Sequence, residues 1–218
     1  MTKEKQYIDK ALEELKVQSF ETTKQYLAVI NLFKEGKNPI PARINLKHTE
    51  NLVAIYFEVP EERFFFVVNL TKDPNIEVQG VWVQSGHRVY LTATSESLSY
   101  SQLASFLKLQ PLTGWSIGDL RPSGNTHHTF SRISFEPNPM EAYDLEEKLN
   151  ELLDELEQDK EGLKKLIENS NAYISVCRYQ YVSENAGLHL DQKTIHRLSN
   201  LNLSIDVDAY IVGERILD

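Results

Sequence analysis

The sequence predicts an α+β protein: a ferredoxin-like two-layer α/β sandwich with an internal β-α pseudo-repeat, preceded by a helical and antiparallel β-meander piece. Three observations lead to this. Strand-like runs follow one another at short turns between residues 52 and 94, the rhythm of an antiparallel meander. From residue 87 onward strand and helix signals alternate, which places helices against a sheet. Two segments 92 positions apart also match. Leu98, Leu103, Phe106 and Leu109 recur as Leu190, Ile195, Leu198 and Leu201, each behind a capping-type residue and a strand-like run.

The elements follow in order. Ile8, Leu12 and Leu15 are spaced as one face of a helix over residues 3–17. A second helix is expected over 21–34, with Tyr26, Leu27, Ile30 and Phe33 inward and Ser19 as its cap. Gly36, Pro39 and Pro41 close the helical part. Residues 52–59 and 63–70 are β-branched and aromatic and read as a hairpin around Pro60. Residues 77–84 and 89–94 read as third and fourth strands with a turn at Ser85-Gly86.

A repeat helix is expected at 99–108, ended by Pro111, then a loop over 113–122 and a strand over 129–135. Leu145, Leu149, Leu152, Leu153, Leu156, Leu163 and Leu166 mark one side of a long helix over 142–168, which Gly162 is placed to kink or divide. A strand at 172–181, the second repeat helix at 191–200 and a strand at 203–210 complete the chain. In the last strand Leu203, Ile205 and Val207 alternate with Ser204, Asp206 and Asp208, so one sheet face is polar. The expected division is 1–86 and 87–218.

Composition narrows the function. A chain with 41% hydrophobic and 25% charged residues can build a core. Its net charge of -9 argues against nucleic acid as a partner, since phosphate contacts need Lys and Arg. A lone cysteine, Cys177, gives no internal disulfide. The N-terminal residues carry no apolar signal region and no apolar run approaches a membrane span. A cytoplasmic protein without a membrane partner is the expectation.

Strong catalytic motifs are absent: the sequence has no P-loop, G-x-G-x-x-G, G-x-S-x-G, H-E-x-x-H or paired C-x-x-C. Cys177 reads as a small strand residue rather than a nucleophile. His127-His128 diverge on a strand start and make a poor chelate, and His189 and His196 read as surface residues. No metal or cofactor is implied. Asp206 and Asp208 share a strand face and suit acid-base work, a cation, or simply a polar outer face. The acidic run 141–161 reads as a solvated helix side or a surface for a basic partner.

The loop Gly114-Trp115-Ser116-Ile117-Gly118-Asp119, continued by Arg121, is the most site-like element. A Trp in a loop either packs as a plug or offers a flat contact surface, and Gly118 suits a tight turn. The candidate binding surface is therefore Trp115, Gly118, Asp119, Arg121, Asp206 and Asp208.

A strand, then Leu98, Leu103, Leu107, Leu109 and Pro111, then Gly114-Trp115 and Gly118-Asp119, resembles the bacterial family catalogued as domain of unknown function 4279. The Leu145–Leu156 helix with its Leu-Leu pair, Ile174 and Val176, and the closing Ile195, Leu198, Leu201, Leu203, Ile205-Asp206-Val207-Asp208 and Tyr210 are similar to it too. The resemblance spans residues 87–212. It implies a bacterial cytoplasmic protein and brings no established catalytic residues. It also implies proximity to toxin or contact-secretion loci, hence an immunity role. Together the expectations are a non-enzymatic binding or interaction module, with a toxin or other basic protein as partner. Alternatives are a small-molecule sensor with its ligand near Trp115 or between the repeats, and an enzyme using Asp206, Asp208 or a histidine.

Overall fold

Strands β4 (Leu52–Glu58) and β5 (Phe64–Thr71) form the expected hairpin, pairing antiparallel from Leu52↔Thr71 to Glu58↔Phe65. In this computed structural model, which describes residues 2–185 and 187–216, that hairpin belongs to the first of two compact units. Unit 1 comprises Met1–Gly86, Tyr179–Ala186 and Ala209–Asp218; unit 2 comprises His87–Arg178 and Gly187–Asp208. The other elements in chain order are α1 (Lys3–Val17), α2 (Glu21–Val29), β1 (Lys34–Glu35), β2 (Asn38–Pro39), β3 (Pro41–Asn45), β6 (Val78–Ser95), α3 (Tyr100–Ala104), β7 (Thr113–Trp115), β8 (Ser131–Phe135), α4 (Leu145–Leu156), α5 (Lys160–Asn169), β9 (Asn171–Tyr181), α6 (Gln192–Asn200) and β10 (Ser204–Val212).

In unit 1, α1 buries Leu15 as expected but turns Tyr7 and Ala11 inward with it, leaving Ile8 and Leu12 half-buried. The core they join includes Val53, Ile55, Phe57, Phe66, Val68 and Leu70. Helix α2 ends at Val29, short of the expected Lys34, and Phe33 is exposed. Ser19 does not cap it. Instead the buried carboxylate of Glu14 accepts from Ser19 N (3.3 Å), Phe20 N (3.3 Å), the Thr23 hydroxyl (2.6 Å) and the Ser19 hydroxyl. A side chain from α1 thus satisfies donors at the start of α2. Burial alone would raise the Glu14 pKa, but these bonds outweigh it and hold the carboxyl below its ordinary value.

The expected third and fourth strands are one strand. β6 runs eighteen residues straight through Ser85-Gly86. Gly86 is there for close approach rather than for a turn: a Cβ on it would lie 1.9 Å from the Arg63 carbonyl oxygen.

In unit 2 the strand order is β7-β8-β6-β9-β10, with β8 antiparallel to both β6 and β7. One sheet face carries Leu91, Ala93, Ile133, Ile174 and Val176 into a core shared with Leu149, Leu152, Leu153, Leu156, Leu163 and Leu166 of the helices. Mixed helix and antiparallel sheet is therefore as expected, while a ferredoxin-like arrangement is finer than these pairings establish. The long helix divides before Gly162, at a 3-10 turn over Glu157–Asp159. There the Asp159 carboxylate accepts from Lys108 N at 2.6 Å. Gly162 makes room: a Cβ on it would meet Phe106 O at 2.4 Å and the Asp159 carboxylate at 2.6 Å.

The pseudo-repeat holds at its caps and not along its helices. Ser99 and Asp191 each accept from the backbone three residues on, at Gln102 and Thr194. Yet α3 has five residues and α6 nine. Leu103 is fully buried while its counterpart Ile195 is 53% exposed, because α6 turns Thr194 inward instead.

Candidate functional site

The sheet of unit 2 has a second face, and alternation dictates its membership. With Leu91 and Ala93 in the core, Arg88, Tyr90, Thr92 and Thr94 of β6 point the other way. The register Thr94↔Arg132 and Thr92↔Ser134 puts Arg132 and Ser134 beside them. Trp115↔Arg132 brings in Trp115. On β9, Ser175 and Cys177 alternate with the buried Ile174 and Val176.

These side chains bond to one another. The Thr92 hydroxyl lies 2.8 Å from that of Ser175, and the Tyr90 hydroxyl lies 3.5 Å from Cys177 Sγ. Arg132 Nε donates to Ser134 Oγ at 3.1 Å, and Nη2 donates to Thr92 Oγ1 at 3.3 Å. Its guanidinium carbon is 5.6 Å from the Tyr90 ring centre and 5.4 Å from that of Trp115, within cation–π range. Arg88 lies 5.3 Å from the same Tyr90 ring.

The two arginines differ in their counter-charge. Arg88 makes a two-nitrogen contact with Glu136, through Nε at 3.1 Å and Nη2 at 2.5 Å, which raises the Arg88 pKa. Glu136 also lies 3.7 Å from Nζ of the buried Lys148, which donates to Met140 O at 2.8 Å. Burial lowers the Lys148 pKa, with Glu136 and Glu141 partly offsetting it. Arg132 has no carboxylate partner among the described residues. Burial, then the contact with Cys177, raises the Tyr90 pKa, and Arg132 works against that rise. Nearby His87 is buried and pushed down to about 4, so its ring is neutral at pH 7. Its Nδ1 lies 3.1 Å from Tyr143 O; a carbonyl only accepts, so that nitrogen carries the proton.

Trp115 is half-buried rather than a free plate. Its Nε1 donates to Phe130 O at 3.0 Å, and His128 stacks on it at 4.3 Å. Gly118 adopts φ +84 and donates to His128 O at 2.8 Å. Asp119 accepts from Ser116 N at 2.7 Å through Oδ2 and from His128 N at 2.9 Å through its carbonyl. The Arg121 backbone closes the turn to Thr126 and Gly124. These three residues shape an exposed loop. Asp206 and Asp208 are exposed on β10, opposite Ile205 and Val207.

Trp115 and the two aspartates therefore share a face but occupy opposite edges of the sheet. Four inter-strand steps of about 4.8 Å separate them, roughly 19 Å. The sequence-predicted residues mark the margins, and the centre was missed: Arg88, Tyr90, Thr92, Arg132 and Ser175. Its signal was present as polar residues at every second position of 88–94 and 132–136. A depression of about 550 Å³ opens at one end of the face, lined by Thr94, Ser95, Glu96, Phe130, Asn171 and Tyr173.

Among the described residues no group of three or more His, Cys, Asp or Glu is placed to hold a metal ion, and no helix is long and apolar enough to cross a membrane. No curated protein and no solved structure matches the chain. A family model described as Domain of unknown function (DUF4279) matches residues 85–212, well over half of the chain. The chain therefore belongs to that family, with an N-terminal extension ahead of the matched region.

Proposed function

We propose that the protein is a non-enzymatic binding module whose contact surface is the polar sheet face of unit 2, carried on a two-layer scaffold of ferredoxin-like type. The observation that carries this reading is Arg132, a half-buried cation without a carboxylate partner among the described residues. A charge withdrawn from water is costly unless it is compensated, and three hydroxyls and two aromatic rings hold the surrounding face in place. Titrating the full chain with a mixed panel of small anions and cations, followed by backbone amide shifts, tests this. Perturbed amides should cluster at residues 88–94, 113–116, 131–136 and 173–177. Perturbations confined to the helices would contradict it.

A second reading rests on the exposed Asp206 and Asp208 of β10 together with the net charge of -9. Opposite charge steers association, so β10 suits a basic protein, the form an immunity-type partnership would take. Co-purification with a neighbour-encoded basic protein that survives in wild type and is lost in the D206N/D208N pair would support it. Retention in the pair would remove it.

A further inference from the structure

We infer that the polar face of unit 2 holds an anion-binding site for a small aromatic monocarboxylate, with Arg132 as its receptor. This rests on the binding-module reading above and names its ligand. A guanidinium carries five N–H donors. Two of them are committed, Nε to Ser134 and one Nη2 hydrogen to Thr92. Both lie on the side edge of the fork. Of the three hydrogens that remain, two on Nη1 and one on Nη2, one from each nitrogen makes the end-on fork. Two parallel, coplanar N–H groups match the two oxygens of a carboxylate. The two rings beside Arg132 and its two hydroxyl acceptors hold its guanidinium before any ligand arrives, which lowers the ordering cost of binding.

Charge sets the valence. Arg88 is already matched by Glu136, so Arg132 supplies the one positive charge of this pair that has no carboxylate partner among the described residues. A monoanion fits where a phosphate dianion or a dicarboxylate does not. The skeleton behind the carboxylate meets aromatic surface. Tyr90 and Trp115 flank the guanidinium. Flat rings pack well against such surfaces.

Benzoate, acetate and inorganic phosphate are the probes, each titrated into the full chain. The readout is the Trp115 indole N–H and Arg132 Nε–H resonances. Benzoate should shift both, bind at least five-fold more tightly than acetate and phosphate, and weaken with added salt. R132M should weaken benzoate binding at least ten-fold, and R132K, which keeps the charge and loses the fork, should fall between. A preserved, dispersed amide spectrum shows that each variant folds. Phosphate binding at Arg132 as tightly as benzoate would overturn the ligand class and leave the binding face standing. Undiminished benzoate binding by folded R132M, or no shift at either resonance, would overturn the site. If the mixed panel also failed to perturb the face, the binding-module reading would fall with it.

Discussion

Replacing Glu14 by glutamine tests how α1 and α2 are joined. The carboxylate is 3% exposed and takes two bonds on each oxygen: Phe20 N and Thr23 Oγ1 on one, Ser19 N and Ser19 Oγ on the other. A glutamine amide can accept on one side only. The hydroxyl facing its NH₂ can rotate and accept, but the backbone N–H on that side, of Ser19 or of Phe20, loses its partner. An orphaned buried donor costs about 1–3 kcal/mol, and the remaining bonds lose their charge assistance, about 1 kcal/mol more. E14Q should therefore lower stability by about 2–3 kcal/mol at pH 7 in urea denaturation.

The pH dependence gives a sharper check. The folded Glu14 pKa lies below its unfolded value of about 4.3. Its contribution is present above that value and disappears as pH falls through the folded pKa. The gap between wild type and E14Q should be full at pH 6 and shrink steadily below about pH 4. Other carboxylates titrate alike in both proteins and cancel. A gap below about 0.5 kcal/mol at pH 7 would refute the reasoning, since it falls short of even one lost hydrogen bond. So would a gap independent of pH.

Three further substitutions have expected outcomes. G86A places a Cβ 1.9 Å from the Arg63 carbonyl and should cost at least about 1–3 kcal/mol, with faster amide exchange at the β5–β6 end; wild-type stability would mean that the two backbones separate easily. N69V removes a buried amide oxygen that has no hydrogen-bond partner among the described residues, on a residue paired with Ala54 and Gly80 across the sheet; it should raise the urea midpoint, a gain of about 1 kcal/mol. R197M cuts bonds to Glu157 (2.8 Å), Asn150 (2.8 Å) and Asp154 (2.6 Å) that tie α6 to α4 and the 3-10 turn; it should cost about 1–2 kcal/mol, a loss that narrows in high salt.

Much of the fold was legible because periodicity reports burial. The leucines of α4 and α5 are all buried where the spacing put them, and the β4–β5 hairpin follows from its β-branched runs. Legibility failed where a glycine or a polar residue works at long range. Gly86 looks like a turn in sequence and acts as a contact with residue 63. Ser19 looks like a cap, but Glu14, five residues earlier, carries that role. Ile195 matches Leu103 in the repeat, yet the longer α6 turns it to solvent.

The site shows the same division. Trp115 and the two aspartates stood out because each is unusual in its local segment. Arg132 did not, since an arginine in a strand is ordinary until its partners are known. Its importance comes from the lack of a carboxylate partner among the described residues and from the rings of residues 90 and 115, a grouping that only strand pairing creates.

The most direct test of that grouping is to find where a bound ring sits. With benzoate held near saturation on the full chain, intermolecular nuclear Overhauser effects from its ring protons should reach the side chains of Tyr90 and Trp115, and those to Trp115 should vanish in R132M. Effects reaching instead to helix residues such as Leu198 or Ile195, or their persistence unchanged in R132M, would contradict the account.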